Sequence, residues 1–385
     1  MKKNTSKQRI LITAYDFPPQ TGGVSTYSLE LAQSFSQQGH EVLVLTKESQ
    51  LKHNYSFKVI QCKLPSSGVL SIPYFYSALK THISSFNPDF IINTLWMPGA
   101  TATYLALKKL KIQTPYLIVV HGMEIVESSR TFKKLLRSSL FFLKKKVFSH
   151  AHRCICISQF TKNLLLKQNI CSENQIQVIN NGVNIEKFSL NSSSSRQEKT
   201  YPQLLTVARL SPHKGIDQIL YALPTLSESF PDIHYSIAGT GPDRTRLEKI
   251  VSDLSLHDSV SFLGKVDSID LPNLYASSDL FVLLSRQEDL HVEGFGLVFL
   301  EAAITKTPSL GGNSGGIPDA IIEGKTGWLV DPTDQVKIVS LLTQLLHKPE
   351  ELKEMGDQAY THTIKYRSWT NVTQSFLKEM DPNHG

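Results

Sequence analysis

Short, continuous apolar runs alternate with amphipathic stretches along almost the whole chain. In the first half, strand-like runs fall at Ile10–Ala14, Glu41–Thr46, Lys58–Gln61, Phe90–Asn93, Tyr116–Val120, Cys154–Ile157 and Gln177–Ile179. A Gly-containing loop over Pro18–Gly23 leads into a helix predicted over Val24–Gln38, and Gly39 sits where that helix should stop. Helical patterns separate most of the other runs. Runs that are apolar throughout, rather than at every second position, belong to strands covered on both faces, and so to a parallel sheet flanked by helices.

The pattern then breaks. Ser189–Thr200 (SLNSSSSRQEKT) is nearly devoid of apolar residues and has the composition of a linker. Beyond it the alternation restarts. Strands are expected at Gln203–Val207, His234–Ala238, Val260–Phe262, Leu280–Leu284, near Thr307–Leu310 and at Gly327–Val330, with helices from Gly215 or Ile216 and from about Asp243. The reading is two α/β units, with ligands expected in a cleft lined by the carboxyl ends of both sets of strands.

Composition agrees with this picture and narrows it little. A chain of 385 residues exceeds what one core usually holds. Hydrophobic residues at 41% and charged residues at 19% are those of an ordinary globular protein. A net charge of +6, spread over so large a surface, does not argue for a nucleic-acid partner. Cys62, Cys154, Cys156 and Cys171 are too few and too irregularly spaced for a disulfide framework or a zinc site, and read as reduced thiols. The basic start MKKNTSKQR is followed by too short an apolar run for a signal peptide, and no run approaches the length of a spanning helix. A cytoplasmic protein is expected, at most peripheral on the inner face of the cytoplasmic membrane.

Four constellations carry candidate chemistry. In VEGFGLVFLEAA (292–303), Glu293 and Glu301 are eight apart, the first in a glycine loop after a buried strand and the second about a turn and a half into a helix. The free N–H groups of such a helix start suit a phosphate, and a carboxylate in the first turns can accept from two ribose hydroxyls. In VARLSPHKG (207–215), Arg209 and Lys214 follow a strand, where two cations can hold a diphosphate and stabilise it as a leaving group. The glycines Gly22–Gly23, Gly239 and Gly241, Gly311–Gly312 and Gly315–Gly316 are each suited to tight turns near a ligand, and none is specific alone. His121, one of 13 histidines, gains weight because it directly follows the strand Tyr116–Val120 and can donate to a sugar hydroxyl.

Taken in order, TGGVSTYS, VVHGMEI, CISQFT, INNGVNIEKF, VARLSPHKG, IAGTGP, LGKV, EGFGLVFLEA, SGGIPDAI and GWLVDP resemble glycosyltransferase family 4 over nearly the whole chain. The resemblance implies the GT-B fold, two Rossmann-like domains facing each other across a cleft. It divides the chain into an acceptor domain (1–190), a nucleotide-sugar donor domain (191–365) and a terminal helix (366–385) that crosses back to the first domain. It implies a retaining hexosyltransferase that takes a GDP- or UDP-linked sugar, with no metal or other cofactor. Carried over by position, Gly22, Gly23 and Gly241 approach the donor and His121 the sugar. Arg209 and Lys214 hold the diphosphate, Glu293 the transferred sugar and Glu301 the ribose. Phe295, Gly296, Leu297 and Val298 supply backbone near phosphates and sugar, and Lys265 and Val266 lie where the base is held.

Two departures bear on detail. RQEDLHVEGFG (286–296) carries extra residues before Glu293, a form similar to mannosyltransferases that build phosphatidylinositol mannosides, and this tilts the donor toward GDP-mannose. Lys306 stands where the family usually has glycine, which should alter only a turn.

Residues 130–148 (RTFKKLLRSSLFFLKKKVF) hold seven basic residues and no acid. Phe132, Leu135, Leu136, Leu140, Leu143 and Val147 fall on one helical side, widened by Phe141 and Phe142. The segment reads either as an interfacial helix that can meet an anionic membrane surface or as a helix packed on the first sheet with a solvated basic face. Lys2, Lys3, Lys7 and Arg9 can add to that patch. The acceptor is expected to be lipid-linked or a polysaccharide, in envelope glycan synthesis. The competing readings are a soluble glycogen- or sucrose-type transferase and a non-catalytic sugar-nucleotide-binding subunit.

Overall fold

The computed structural model describes residues 7–20, 22–49, 54–65, 67–122, 125, 134–188, 202–289 and 291–381, without the side chains of 134–139. The stretch expected to be a linker, Ser189–Thr200, lies outside the described residues, as do Lys2, Lys3 and Phe132.

The chain forms two compact units, residues 1–181 with Trp369–Gly385 and residues Gly182–Ser368. The first unit contains β1 (Arg9–Ala14), α1 (Gly23–Gln37), β2 (Glu41–Lys47), β3 (Lys58–Cys62), α2 (Ile72–Phe86), β4 (Phe90–Asn93), α3 (Thr101–Leu110), β5 (Tyr116–Val120), α4 (Lys134–Ser149), β6 (Arg153–Cys156), α5 (Gln159–Gln168) and β7 (Ile176–Val178). Its sheet runs in the order β3-β2-β1-β4-β5-β6-β7. All its pairings are parallel. Every residue of β5 is buried, as a strand with helices on both faces must be. Cys154 and Cys156 alternate onto the same side and join Ile118 and Val120 in one apolar cluster.

The second unit contains α6 (Ile185–Phe188), β8 (Gln203–Val207), α7 (Ile216–Ser229), β9 (His234–Ala238), α8 (Arg244–Asp253), β10 (Val260–Gly264), α9 (Leu271–Ala276), β11 (Leu280–Leu283), α10 (Leu297–Ile304), β12 (Ser309–Gly312), α11 (Ile317–Ala320), β13 (Trp328–Val330), α12 (Gln335–Leu346) and α13 (Pro349–Tyr366). The sheet order is β10-β9-β8-β11-β12-β13. It too is wholly parallel. Ile219 and Leu223 of α7 pack on Ile237, Leu280 and Val282 in its main core. Residues 182–188 belong here, with Val183 paired to Ser368 and Phe188 against the ring of Tyr275. Lys306 adopts a left-handed φ of 61° in the turn before β12, and its ammonium is anchored 2.8 Å from Asp357.

The last helix, α14 (Trp369–Met380), belongs to the first unit. There the ring of Phe376 meets that of Phe35 on α1 at 6.2 Å, and Thr373 hydrogen-bonds Ser34 at 3.0 Å.

In each sheet the connections run one way up to a central pair of strands and then reverse. These switch points, β1/β4 and β8/β11, are where a doubly wound sheet leaves a crevice at its carboxyl edge.

Candidate functional site

In the second unit the loops that follow β8 and β11 meet at the switch point. After β8 the chain passes exposed Arg209 and makes a single 3-10 turn, Pro212–Lys214, before α7. The ammonium of Lys214 hydrogen-bonds a carboxylate oxygen of Glu293, in the loop after β11, with 16% and 18% of the two side chains exposed. Burial alone would raise the Glu293 carboxyl. The charge and hydrogen bond of Lys214, helped by His213, outweigh it and hold the group below its ordinary value. Glu293 is therefore ionised at neutral pH. Burial and the neighbouring Lys214 charge push His213 down to about 4, so its ring is neutral there.

Gly296 ends this loop and starts α10. Its φ is 95°, and a Cβ there would lie 2.7 Å from the Phe299 ring, so glycine is demanded twice over. No side chain caps α10 and no acid stands in its first turn. The positive end of the helix lies at half-buried Leu297 and Val298. Glu301, the fifth residue of α10, accepts a hydrogen bond of 2.9 Å from the Tyr275 hydroxyl. Tyr275 is fully buried, and burial together with the Glu301 charge pushes its hydroxyl well above the ordinary range, so it remains a donor.

The remaining second-unit candidates surround this centre unequally. The loop after β12 reaches it, since the Gly316 N–H donates to the Glu293 carbonyl at 2.8 Å. Gly241 lies in the loop after β9, which is bound to the β8 loop through Leu210 N–H to Thr240 O (3.0 Å) and Asp243 N–H to Leu210 O (3.2 Å). Phe295 is buried, with the Arg367 guanidinium 6.0 Å from its ring centre. Lys265, exposed, and Val266, half-buried, follow the edge strand β10.

Four residues here were not singled out in the sequence. They are His213, Tyr275, and the pair Arg286 and Asp217, whose side chains meet through two hydrogen bonds of 2.8 and 2.9 Å. His213 stood beside Lys214 in VARLSPHKG and Arg286 opened the longer RQEDLHVEGFG segment, so local signals for both existed. Tyr275 had none.

In the first unit, His121 directly follows β5 and its ring meets that of Tyr27 edge-on at 5.0 Å. Tyr27 in turn meets Trp369 of α14 at 5.2 Å. Asp16, two residues beyond β1, is an addition to the sequence reading. Burial raises its carboxyl above the ordinary value, while His121 and Lys47 pull it down. Gly22 and Gly23 form the start of α1 with open space beside both.

The basic segment needs a correction. Within α4, Phe141 and Phe142 are exposed, Phe142 to 63%, while Val147 and Phe148 are buried. Lys144, one of the seven basic residues of the segment, is only 8% exposed, and its ammonium lies 5.4 Å from the centre of the Trp96 ring. It sits one turn before Val147 and Phe148 and so shares the inward side. Lys145 and Lys146 are exposed. The side chains of Leu135 and Leu136 lie outside the described residues. Among the described residues no helix is long and apolar enough to cross a membrane.

Two doubly wound parallel sheets, each with helices on both faces, are the two-domain architecture of the GT-B fold. A sucrose-phosphate synthase from Thermosynechococcus elongatus superposes with a TM-score of 0.78 over 97% of this chain and 98% of its own, at 20% identity. The family profile described as Glycosyltransferase Family 4 matches residues 21–187, and that described as Glycosyl transferases group 1 matches residues 188–362. The chain belongs to glycosyltransferase family 4 and is an enzyme that draws on a nucleotide-sugar. It is 28% identical to the GDP-mannose-dependent alpha-(1-6)-phosphatidylinositol monomannoside mannosyltransferase of Mycolicibacterium smegmatis, over 90% of this chain and 91% of that one. It is 27% identical to the GDP-mannose-dependent monoacylated alpha-(1-6)-phosphatidylinositol monomannoside mannosyltransferase of Corynebacterium glutamicum, over 96% of this chain and 99% of that one.

Proposed function

We propose that this enzyme transfers mannose from GDP-mannose, with retention, to a lipid-linked glycan acceptor at an anionic membrane surface. The observation that carries the reading is the Lys214–Glu293 pair beside the uncapped start of α10. Lys214, with Arg209 and the α10 N-terminus, takes the diphosphate and stabilises the charge that grows on it as the sugar leaves. Glu301, aimed by Tyr275, takes the ribose, and Glu293 takes the sugar. Gly241, Lys265 and Val266 serve the nucleotide, while Phe295, Gly296, Leu297 and Val298 supply backbone to phosphate and sugar. In the first unit His121 donates to a sugar hydroxyl, and Gly22 and Gly23 leave room for phosphate.

The acceptor hydroxyl attacks from the face that the phosphate leaves, and its proton passes to a departing phosphate oxygen. The cations named supply the positive charge that a divalent metal would otherwise bring, and no metal or other cofactor is required. The choice of mannose rests on the two mannosyltransferases and on the longer RQEDLHVEGFG segment. The choice of a membrane surface, on its cytoplasmic side, rests on exposed Phe141 and Phe142 beside exposed Lys145 and Lys146.

The test is nucleoside diphosphate release in EDTA-containing buffer, with GDP-mannose, UDP-glucose, UDP-galactose and UDP-N-acetylglucosamine offered singly. The reading requires GDP-mannose to turn over fastest. A faster UDP-sugar removes the donor assignment, and dependence on added metal removes the cofactor assignment.

A further inference from the structure

The extra residues between β11 and Glu293 touch the β8 loop and the start of α7 at several points, before and after Lys214. The Arg286 backbone N–H donates to the carbonyl of His213 at 2.8 Å. Its guanidinium donates to both carboxylate oxygens of Asp217, the second residue of α7, at 2.8 and 2.9 Å. Asp217, only 6% exposed, is steadied from the other side by Arg246 at 3.1 Å. His291 is fixed by a reciprocal pair of backbone hydrogen bonds with Glu288, both 2.9 Å. Its ring stacks on that of His213, with centroids 5.3 Å apart and planes 20° from parallel. On the other flank of Lys214, Gly215 has a φ of 67° and presses so closely on the Leu284 carbonyl that a Cβ would lie 1.9 Å from its oxygen. Lys214 is therefore gripped before and after by one strap, and the same strap ends in Glu293.

We propose that Arg286 and His291 are positioning residues, which through His213 and Asp217 hold the Lys214 turn and the Glu293 loop in register for sugar transfer. This rests on the reading of Lys214 and Glu293 as the groups that handle the donor. A planar ring at 291 supplies the stack whatever its chemistry, whereas only a guanidinium spans both oxygens of Asp217. Loss of either contact lets the cation and carboxylate drift, which slows the chemical step more than it weakens donor capture.

His291 is exposed, so its variants keep the fold and carry the test. Transfer and donor hydrolysis are measured for His291→Ala, His291→Phe, Arg286→Met and the double variant His291→Ala/Arg286→Met. The expected result for His291→Ala is a kcat down about tenfold with little change in donor KM. His291→Phe returns to within about threefold of wild type, because the stack is restored. The double variant is no slower than the worse single one, because both act on the same turn. Wild-type kcat in His291→Ala, or a His291→Phe as slow as His291→Ala, overturns the proposal. If Lys214→Ala and Glu293→Ala are inactive while the His291 variants match wild type, the strap alone is refuted. If Lys214→Ala and Glu293→Ala are active, the underlying donor-site reading is refuted.

Discussion

The Lys214 ammonium is hydrogen-bonded to the Glu293 carboxylate across 79 residues of sequence, and it is this contact that keeps Glu293 charged. In Lys214→Met burial acts on the carboxylate with only His213 to oppose it, and the Glu293 pKa rises above its ordinary value. A depressed carboxyl pKa gives stability above the unfolded value that is lost as pH falls, and a raised one reverses the sign. The gap in urea stability between wild type and Lys214→Met should thus be small near pH 3. It should widen as pH rises through the carboxylate range, reaching about 3–5 kcal/mol. A gap independent of pH contradicts this.

Tyr275→Phe removes the 2.9 Å hydrogen bond to Glu301 while keeping the buried ring. The expected cost is about 1.5–3 kcal/mol, as for hydrogen bonds to charged groups. Donor KM should rise several-fold because Glu301 loses its aim. Thermal unfolding and initial rates at varied donor concentration check both.

His213 has a folded pKa of about 4 against an ordinary value of 6.5. The unfolded chain therefore takes up its proton first as pH falls. The contribution of this group is fully present above pH 6.5 and is lost as pH falls toward 4, by about 3 kcal/mol at most. Denaturant titrations of wild type and His213→Asn across that window should show a steeper loss in wild type. Parallel curves contradict the assignment.

The α/β alternation was legible because strands such as Tyr116–Val120, covered on both faces, are apolar at every position. Lys214 and Glu293 could each be placed after a strand. Their pairing could not, because it depends on β8 lying next to β11, and strand order is a long-range property of the sheet. Tyr275 is silent in sequence for the same reason. Its meeting with Glu301 comes from packing between α9 and α10. For α4 the helical period put Phe141 and Phe142 beside the Leu140, Leu143 and Val147 side, whereas Val147 is buried and both rings are exposed, because the mixed composition hides how wide the core-facing side is. Two phenylalanines thus face out while Lys144 faces Trp96.

That placement of Lys144 yields a discriminating experiment. Phe141→Ser/Phe142→Ser and Lys145→Glu/Lys146→Glu should each weaken co-sedimentation with vesicles rich in anionic phospholipid, and leave the melting temperature nearly unchanged. Lys144→Met should do the reverse, shifting the melting temperature and leaving sedimentation alone. Equal sedimentation of all four proteins, wild type included, contradicts the membrane assignment.

The central claim is that Lys214 and Glu293 act together on the donor. Its most direct measurement is GDP release from GDP-mannose by wild type, Lys214→Ala and Glu293→Ala, each first shown to be folded by circular dichroism. The account predicts a loss of about a hundredfold or more in kcat/KM for each variant, the scale on which single groups that stabilise transition-state charge are worth 2.7–4 kcal/mol. Full activity in either folded variant would contradict it.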